Sequence, residues 1–265
     1  MKQHEKKERG VKMAKLFVVS DIHGYYDEMK EALDEAGFNP ENENHWLIVC
    51  GDLWDRGSQP VEVMKYLQSL PRKVLVKGNH ESLLQELCDR GYPGSHDYSN
   101  GTFDTVCELG NAGLGNSFDE CCLVSYQRTK NFIDSMVDYF ETKNYIFVHS
   151  FVPLKNLDGL PMYYTKNRKF AIDPDWRYAH ASDWEAARWG NPFDLAKKGF
   201  LPDKTLVFGH FHTSWPRHKY ENKPEFGEGA DFSIYHGDGY IAIDGCTAYS
   251  GKVNVLVLED EFLEE

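Results

Sequence analysis

Short apolar runs alternate with helical patterns over the first third of the chain. Three mostly apolar runs predict buried strands, at residues 15–19, 46–50 and 73–76. Apolar residues at helical spacing predict helices between and after them, at residues 25–36, 60–69 and 81–89. Strands that alternate with helices at this rhythm predict a largely parallel or mixed sheet.

The later part of the chain has more polar sequence between its apolar runs. Residues 90–116 are rich in Gly, Asn, Ser and Asp, which predicts a loop that either covers the surface or faces the substrate. Ser182 to Glu185 forms a capping box, so a short helix should follow. Further elements are predicted as a helix at 125–142 and strands at 145–148, 205–208, 240–243 and 253–258.

The chain has no internal repeat and no linker long enough to separate domains. We therefore predict a single domain over residues 15–265. The highly charged residues 1–14 lack an apolar segment, so they are predicted to be a solvated tail and not a secretory signal.

Polar motifs begin where the predicted strands end. They are Asp21-Ile22-His23-Gly24, Gly51-Asp52-Leu53-Trp54-Asp55-Arg56-Gly57, Gly78-Asn79-His80-Glu81, the single His149, and Gly209-His210-Phe211-His212. Open α/β sheets bind their ligands at the carboxyl ends of their strands. If these strands lie side by side, the motifs converge on one pocket.

The residue types in these motifs are those that hold a pair of metal ions. Asp21 and His23 are two residues apart and project to the same side of an extended segment, as do His210 and His212. One carboxylate has two oxygens, so Asp52 can bridge two ions. The candidate metal ligands are Asp21, His23, Asp52, Asn79, His149, His210 and His212.

Three further residues suit phosphate chemistry. Arg56 carries a forked donor that matches phosphate oxygens. His80 can protonate a leaving oxygen near neutral pH, and Asp55 can hold its ring in orientation. Because a metal pair can generate hydroxide and stabilise an in-line displacement at phosphorus, we expect a dinuclear metal-dependent phosphatase.

Composition and charge narrow the class of partner. Six tryptophans, fifteen tyrosines and sixteen phenylalanines argue against intrinsic disorder. A formal net charge of −13 argues against a long nucleic-acid partner, although bound metals can still attract a small phosphate. No apolar run approaches the ~20 residues that span a bilayer. The six cysteines show no disulfide or metal spacing, so we expect reduced thiols in a cytoplasmic protein.

Taken together, the motifs resemble the metallophosphoesterase superfamily. More narrowly they resemble its phosphoprotein-phosphatase branch, in the short bacterial or phage form similar to the lambda-type serine/threonine phosphatase. The resemblance runs from about Lys15 to Leu258 and is extended by residues 100–105, by Trp184-x-x-x-Arg188-Trp189, and by residues 243–247.

This resemblance implies an α/β fold in which an αββα sandwich of two mixed sheets is flanked by helices. It implies that Asp21, His23 and Asp52 hold one metal, and that Asp52, Asn79, His149 and His210 hold the other. It further implies that His80 and Asp55 supply the proton, and that Arg56 and Arg188 hold the phosphate.

The expected reaction is hydrolysis of a phosphate monoester by metal-activated hydroxide, with phosphoserine or phosphothreonine in a protein, or a small phosphoester, as substrate. Manganese is the expected metal, with iron, zinc or nickel as alternatives. His212 departs from the protein-phosphatase pattern, because Gly-His-x-His is more usual in phosphodiesterases and nucleases of the superfamily. A dinucleoside polyphosphate hydrolase or phosphodiesterase is therefore an open alternative, and a non-catalytic phosphate- or metal-binding module is another.

Overall fold

The computed structural model describes residues 11–156 and 170–263, which contain eleven strands, ten α-helices and two 3₁₀ turns. The strands are β1 Val11–Val19, β2 His45–Cys50, β3 Lys73–Val76, β4 Phe140–Glu141, β5 Tyr145–Phe147, β6 Leu154–Asn156, β7 Phe170–Ile172, β8 Thr205–Phe208, β9 Tyr235–Gly237, β10 Tyr240–Ala242 and β11 Leu256–Leu263. The helices are α1 Tyr26–Glu35, α2 Pro60–Ser69, α3 Asn79–Arg90, α4 Ser95–Asn100, α5 Thr102–Leu109, α6 Phe118–Asp134, α7 Ala181–Arg188, α8 Pro192–Lys197, α9 Ser214–Glu221 and α10 Thr247–Ser250.

Two mixed sheets form the centre of the fold. The first has the strand order β11-β1-β2-β3, with β1, β2 and β3 parallel and β11 antiparallel to β1. The second has the order β4-β5-β8-β10-β9, in which β5, β8 and β10 are parallel and the two outer strands antiparallel. Each sheet thus has a set of parallel strands whose carboxyl ends meet at one edge.

The sheets pack face to face. Leu16, Val18 and Ile48 of the first sheet lie in one buried cluster with Phe147 and Val207 of the second. Neighbouring residues on β1 point the opposite way, because side chains alternate along a strand. Phe17 therefore packs on the outer side, where the cluster includes residues of α1, α2, α3, α5 and α6.

The second sheet is covered in the same way. Ile146 and Phe208 pack against Trp184 of α7 and Phe193 of α8. Both sheets are buried on both faces, which explains why their strands are nearly continuous apolar runs. The predicted αββα sandwich and its α/β class are confirmed. Over the described residues, no helix is both long and apolar enough to cross a membrane.

The tail predicted at residues 1–14 is too long. β1 begins at Val11 and pairs with β11 from Val11↔Leu263 to Val18↔Leu256, and Ala14 is only 3% exposed. The sequence of this charged segment did not predict the first part of β1. The strand forms there because its backbone hydrogen bonds to the antiparallel strand β11 do not depend on the side chains. Residues 1–10 lie outside the described part of the chain.

The middle of the chain also differs from the prediction. Residues 90–116 were expected to form a loop, but they contain α4 and α5. The helix expected at 125–142 is α6, which begins earlier because Ser117 and Glu120 form a capping box, and it ends before β4. The capping-box prediction misplaced the start of α7, since His180 is its N-cap and accepts a hydrogen bond from the Ser182 amide. The last strand begins at Leu256 and not at Val253.

Candidate dinuclear metal centre

The polar motifs converge where the parallel strands end. The backbone turns sharply there, and Asp21, His23, Asp52 and His210 all have positive φ angles between 50° and 67°. Residues other than glycine rarely adopt this conformation, and it clusters at functional sites. The surrounding hydrogen bonds hold the turn, since the amides of Asp21 and His23 donate to the carbonyls of Gly51 and Asp52.

One group of ligand atoms surrounds His23. His23 Nδ1 donates to the Trp54 carbonyl at 2.9 Å, so the lone pair of the neutral ring is on Nε2. That atom lies 3.7 Å from Asp52 Oδ2 and 4.0 Å from Asp21 Oδ1. A ring nitrogen of His80 also lies within 4.8 Å of the ligand atoms of His23 and Asp52, but this ring is bonded to Asp55 and suits proton transfer and not metal binding.

A second group surrounds His149. His149 Nδ1 donates to the Cys50 carbonyl at 2.8 Å, so Nε2 of the neutral ring carries no hydrogen. Nε2 nevertheless lies 2.8 Å from Asn79 Oδ1, 3.2 Å from His210 Nδ1 and 3.4 Å from Asp52 Oδ1. Lone pairs that face one another at such distances are stabilised by a shared cation, so the donor set fits a divalent metal.

Asp52 belongs to both groups through different oxygens. Burial alone would raise the pKa of Asp52, but positive charge on the surrounding imidazoles of His149, His80, His23 and His210, where they are protonated, lowers it well below its usual range. The side chain is therefore an anion with one oxygen facing each group.

The imidazoles are held in the neutral form that binds metals. Burial lowers the pKa of His23 and of His149, and it lowers the pKa of His210 to about 3. A cation at either group therefore need not displace a proton from these rings at neutral pH. Asp21 is different: burial, Asp244 and Asp52 raise its pKa, and a cation would relieve this repulsion.

Beside the ligands is a hydrogen-bonded histidine–aspartate pair. His80 Nδ1 donates to Asp55 Oδ2 at 2.7 Å, and both side chains are almost fully buried. The same oxygen accepts from Thr102 Oγ1 at 2.6 Å, while the Asp55 amide donates to Thr105 Oγ1 at 3.0 Å. Burial would lower the pKa of His80, but Asp52 and the hydrogen bond to Asp55 raise it overall.

Arg56 lies at the exposed side of both rings. Its Nη1 is 2.8 Å from His23 Nε2, and its Nη2 is 3.4 Å from His80 Nε2. Because the residue is exposed, its guanidinium is accessible to a phosphate that reaches the metal centre.

The sequence profile of calcineurin-like phosphoesterases matches residues 14–214. The chain belongs to this family. The match covers most of the chain and every predicted site residue, so the metallophosphoesterase superfamily expected from the motifs is confirmed.

Curated relatives match a shorter part of this phosphoesterase. The symmetrical bis(5'-nucleosyl)-tetraphosphatase of Erwinia tasmaniensis is 42% identical over 66 residues, which are 24% of this chain and 23% of the relative. The enzyme of the same name from Aromatoleum aromaticum is 34% identical over 80 residues, 30% of this chain and 29% of the relative. The chain thus spans about a quarter of the length of the curated relatives it matches.

A solved structure is similar over most of the phosphoesterase. The cold-active protein-tyrosine phosphatase of a psychrophilic Shewanella superposes with a TM-score of 0.53 at 14% identity, covering 92% of this chain and 75% of that one. At this identity, the similarity supports the fold alone.

Two carboxylates of the phosphoesterase site were not assigned roles by the motifs. Glu81 is fully buried and accepts from the amides of Asp52, Leu53 and Gly78 at 2.6–3.1 Å, so it fixes the loop that carries Asp52. Burial and the nearby Asp52 charge raise the pKa of Glu81 to about 7, although these amides oppose the shift. Its place at the third residue of α3 is a capping signal that sequence reasoning can read.

Asp244 is the second such carboxylate. It is 6% exposed, follows β10, and accepts from the Cys246 amide at 2.7 Å. Burial raises its pKa to about 6, and the charges of Asp52 and Arg56 act on it in opposite directions. The rule that located the other motifs, a polar residue where an apolar strand ends, would also have found it.

Glycines allow the strand ends to approach closely. A Cβ atom on Gly78 would lie 2.2 Å from Asp52 Oδ1, and one on Gly209 would lie 2.1 Å from Asp21 Oδ2. Both glycines therefore leave room for the carboxylate of a candidate metal ligand.

Arg188 does not have the free guanidinium expected of a phosphate ligand. It donates to the Lys77 carbonyl at 3.1 Å and to Glu185 at 2.7 Å, and it forms an ion pair with Asp138. The residue is buried. These contacts fix α7 to the end of β3, and a phosphate would have to replace a carboxylate to bind Arg188.

His212 likewise lies outside both ligand groups found among the described residues. Its Nδ1 contacts Ser214 Oγ at 2.8 Å, its Nε2 lies 3.5 Å from Glu225, and its ring packs beside Phe226. The spacing argument failed because His210 has a positive φ, so the segment is not extended as the argument assumed.

Proposed function

We propose that the protein is a metal-dependent phosphomonoesterase that acts on phosphoserine, phosphothreonine or a small phosphoester. Two divalent cations, with manganese expected first and iron, zinc or nickel as alternatives, would be held by Asp21, His23, Asp52, Asn79, His149 and His210. When bound, they supply an activated water and neutralise charge on the phosphate. Family membership and the facing lone pairs around His149 support metal dependence.

The observation that carries the monoesterase proposal is the His80–Asp55 pair next to Asp52. Asp55 accepts a hydrogen bond from Nδ1–H of His80 and so directs Nε2 of the ring toward the ligand groups. A protonated Nε2 can donate its proton to an alkoxide leaving group, which is too basic to leave easily without one. Arg56 borders the same atoms, so its two donors can orient the oxygens of the phosphate.

The test is His80→Asn. We expect the variant to keep its metals and to lose turnover of a phosphoserine peptide by about 10²–10⁴-fold, the usual contribution of a general acid. The loss on p-nitrophenyl phosphate should be much smaller, since nitrophenolate needs little protonation. Equal losses on the two substrates, with metal content unchanged, would contradict the role given to His80.

Dinucleoside polyphosphate hydrolysis is a second candidate, and the curated relatives favour it. Their name specifies a symmetrical bis(5'-nucleosyl)-tetraphosphatase, although they match only about a quarter of their length. Comparison of diadenosine tetraphosphate with a phosphoserine peptide on remetallated enzyme separates the candidates. Phosphodiester hydrolysis has less support, because its motif signal, His212, lies outside the ligand groups of the described chain.

A further inference from the structure

Four aromatic rings lie together on chain segments that follow His210 and Asp244. His212, Phe226, Phe232 and Tyr249 form what we call the aromatic cluster. The ring centroids of Phe226 are 5.0 Å from His212 and 5.1 Å from Tyr249, and those of Phe232 and Tyr249 are 5.5 Å apart. These spacings are those of aromatic rings in direct contact.

Part of the cluster faces solvent. Phe226 is 47% exposed and Tyr249 55% exposed, whereas Phe232 and His212 are partly buried beside them. Isolated exposed aromatic residues are common, but contiguous ones mark binding surfaces. Tyr249 Oη accepts from the Gly227 amide at 2.9 Å, and His212 contacts Ser214, so two of the rings are fixed by polar contacts. The surface is therefore ordered before any ligand arrives.

The cluster is joined to the metal centre at two points. His212 is two residues from His210, whose amide donates to the Asp21 carboxylate at 3.0 Å. Thr247, at the start of the helix that carries Tyr249, donates to the Asp21 carbonyl at 3.0 Å. Both contacts connect the segments that carry the cluster to Asp21, a candidate metal ligand.

We propose that the aromatic cluster binds the nucleobase of a nucleotide substrate whose phosphate lies at the metal centre. This inference rests on the proposed function and favours its nucleotide branch. Nucleobases stack on aromatic rings through flat faces, and such stacking tolerates any base. Contact between several rings, two of them about half exposed, therefore suits a flat base better than a flexible aliphatic side chain.

The experiment replaces aromatic rings by leucine, which removes the flat ring and keeps an apolar side chain. Phe226→Leu and Tyr249→Leu are compared with Tyr249→Phe, which retains the ring, and with Tyr178→Leu, which changes an 89% exposed tyrosine elsewhere. Adenosine binding to the metal-loaded proteins is measured by calorimetry. KM and kcat are measured with diadenosine tetraphosphate and with β-glycerophosphate, a monoester without a ring.

We expect Phe226→Leu and Tyr249→Leu to weaken adenosine binding and to raise KM for the dinucleotide by about 5- to 100-fold, the range given by base stacking. kcat, and KM for β-glycerophosphate, should stay the same. Tyr178→Leu should behave as wild type, and Tyr249→Phe, which keeps the ring but loses the contact with the Gly227 amide, should weaken adenosine binding much less than Tyr249→Leu. Adenosine binding that is absent, or equal in all variants, overturns the proposal. So does a loss confined to phosphopeptides with an aromatic neighbour. If no substrate is hydrolysed, the proposed function fails, but adenosine binding still decides this inference.

Discussion

Asp52 is the residue on which both ligand groups depend. Its Oδ1 faces His149 and accepts from the His80 amide, while its Oδ2 faces His23. Its carboxylate is anionic, since its pKa lies below the usual range, and its amide donates to Glu81. A neutral amide at this position would keep the shape and remove the shared charge.

Asp52→Asn should therefore lower the affinity for both metals. We expect metal analysis of the purified variant to find less than one ion per chain, with turnover reduced at least 10²-fold because the shared charge is lost. Asp97→Asn is the matched control, since Asp97 is a buried carboxylate paired with Arg90 away from the centre. Two ions retained in Asp52→Asn at wild-type affinity would remove Asp52 from the bridging role.

Among the elements, α5 determines how firmly Asp55 is held. Thr102 and Thr105 of this helix bind the Asp55 carboxylate and amide, although their region reads as a loop in the sequence. The sequence did not predict α4 and α5 because Gly, Ser and Asn lie in α4 and at the ends of both helices, and the stability of such short helices comes from packing and not from propensity.

Thr102→Val tests this support, because valine keeps the volume and removes the hydroxyl. We expect kcat for a phosphoserine peptide to fall about 10-fold, since one hydrogen bond to a charged group is worth about 1.5 kcal/mol. Metal content should not change. Thr129→Val, which removes a hydroxyl bonded within α6, is the control. A turnover equal to wild type would show that α5 does not orient the pair.

The site residues that follow the ends of parallel strands were the easiest to predict from the sequence. Nine of the predicted residues converge, namely Asp21, His23, Asp52, Asp55, Arg56, Asn79, His80, His149 and His210, because parallel strands place their carboxyl ends at one edge. Arg188 and His212 do not join them. Their positions depend on the contacts of α7 and on a positive φ at His210, and neither can be read from local spacing.

At the scale of the whole molecule, charge makes stability depend on pH. The chain carries a net charge of −13, and Glu141 of β4 is paired with Arg177 and Lys204 from distant segments. The hydrogen bond from Arg177 lowers the pKa of Glu141. A lowered folded-state pKa contributes stability above the unfolded value of about 4.3, and the contribution is lost as pH falls through the folded-state value.

Glu141→Gln should accordingly destabilise the protein at pH 7 by about 0.5–1 kcal/mol, a value kept small because the pair is partly exposed. The difference in unfolding midpoint from wild type should shrink toward zero near pH 3. Urea titrations at the two pH values measure it, with Glu31→Gln on an exposed position of α1 as the control. A difference that is the same at both pH values would exclude this ion pair as its source.

The pairing of β1 with β11 also constrains the order in which the protein can form as it is synthesised. Three strands of the first sheet, and most of the ligands, leave the ribosome within the first third of the chain, but their neighbour β11 and the ligand His210 emerge much later. Until then, β1 is an edge strand with unpaired backbone groups, the kind of edge that pairs with other chains. A nascent chain of this protein thus exposes that edge for as long as the last strand is missing.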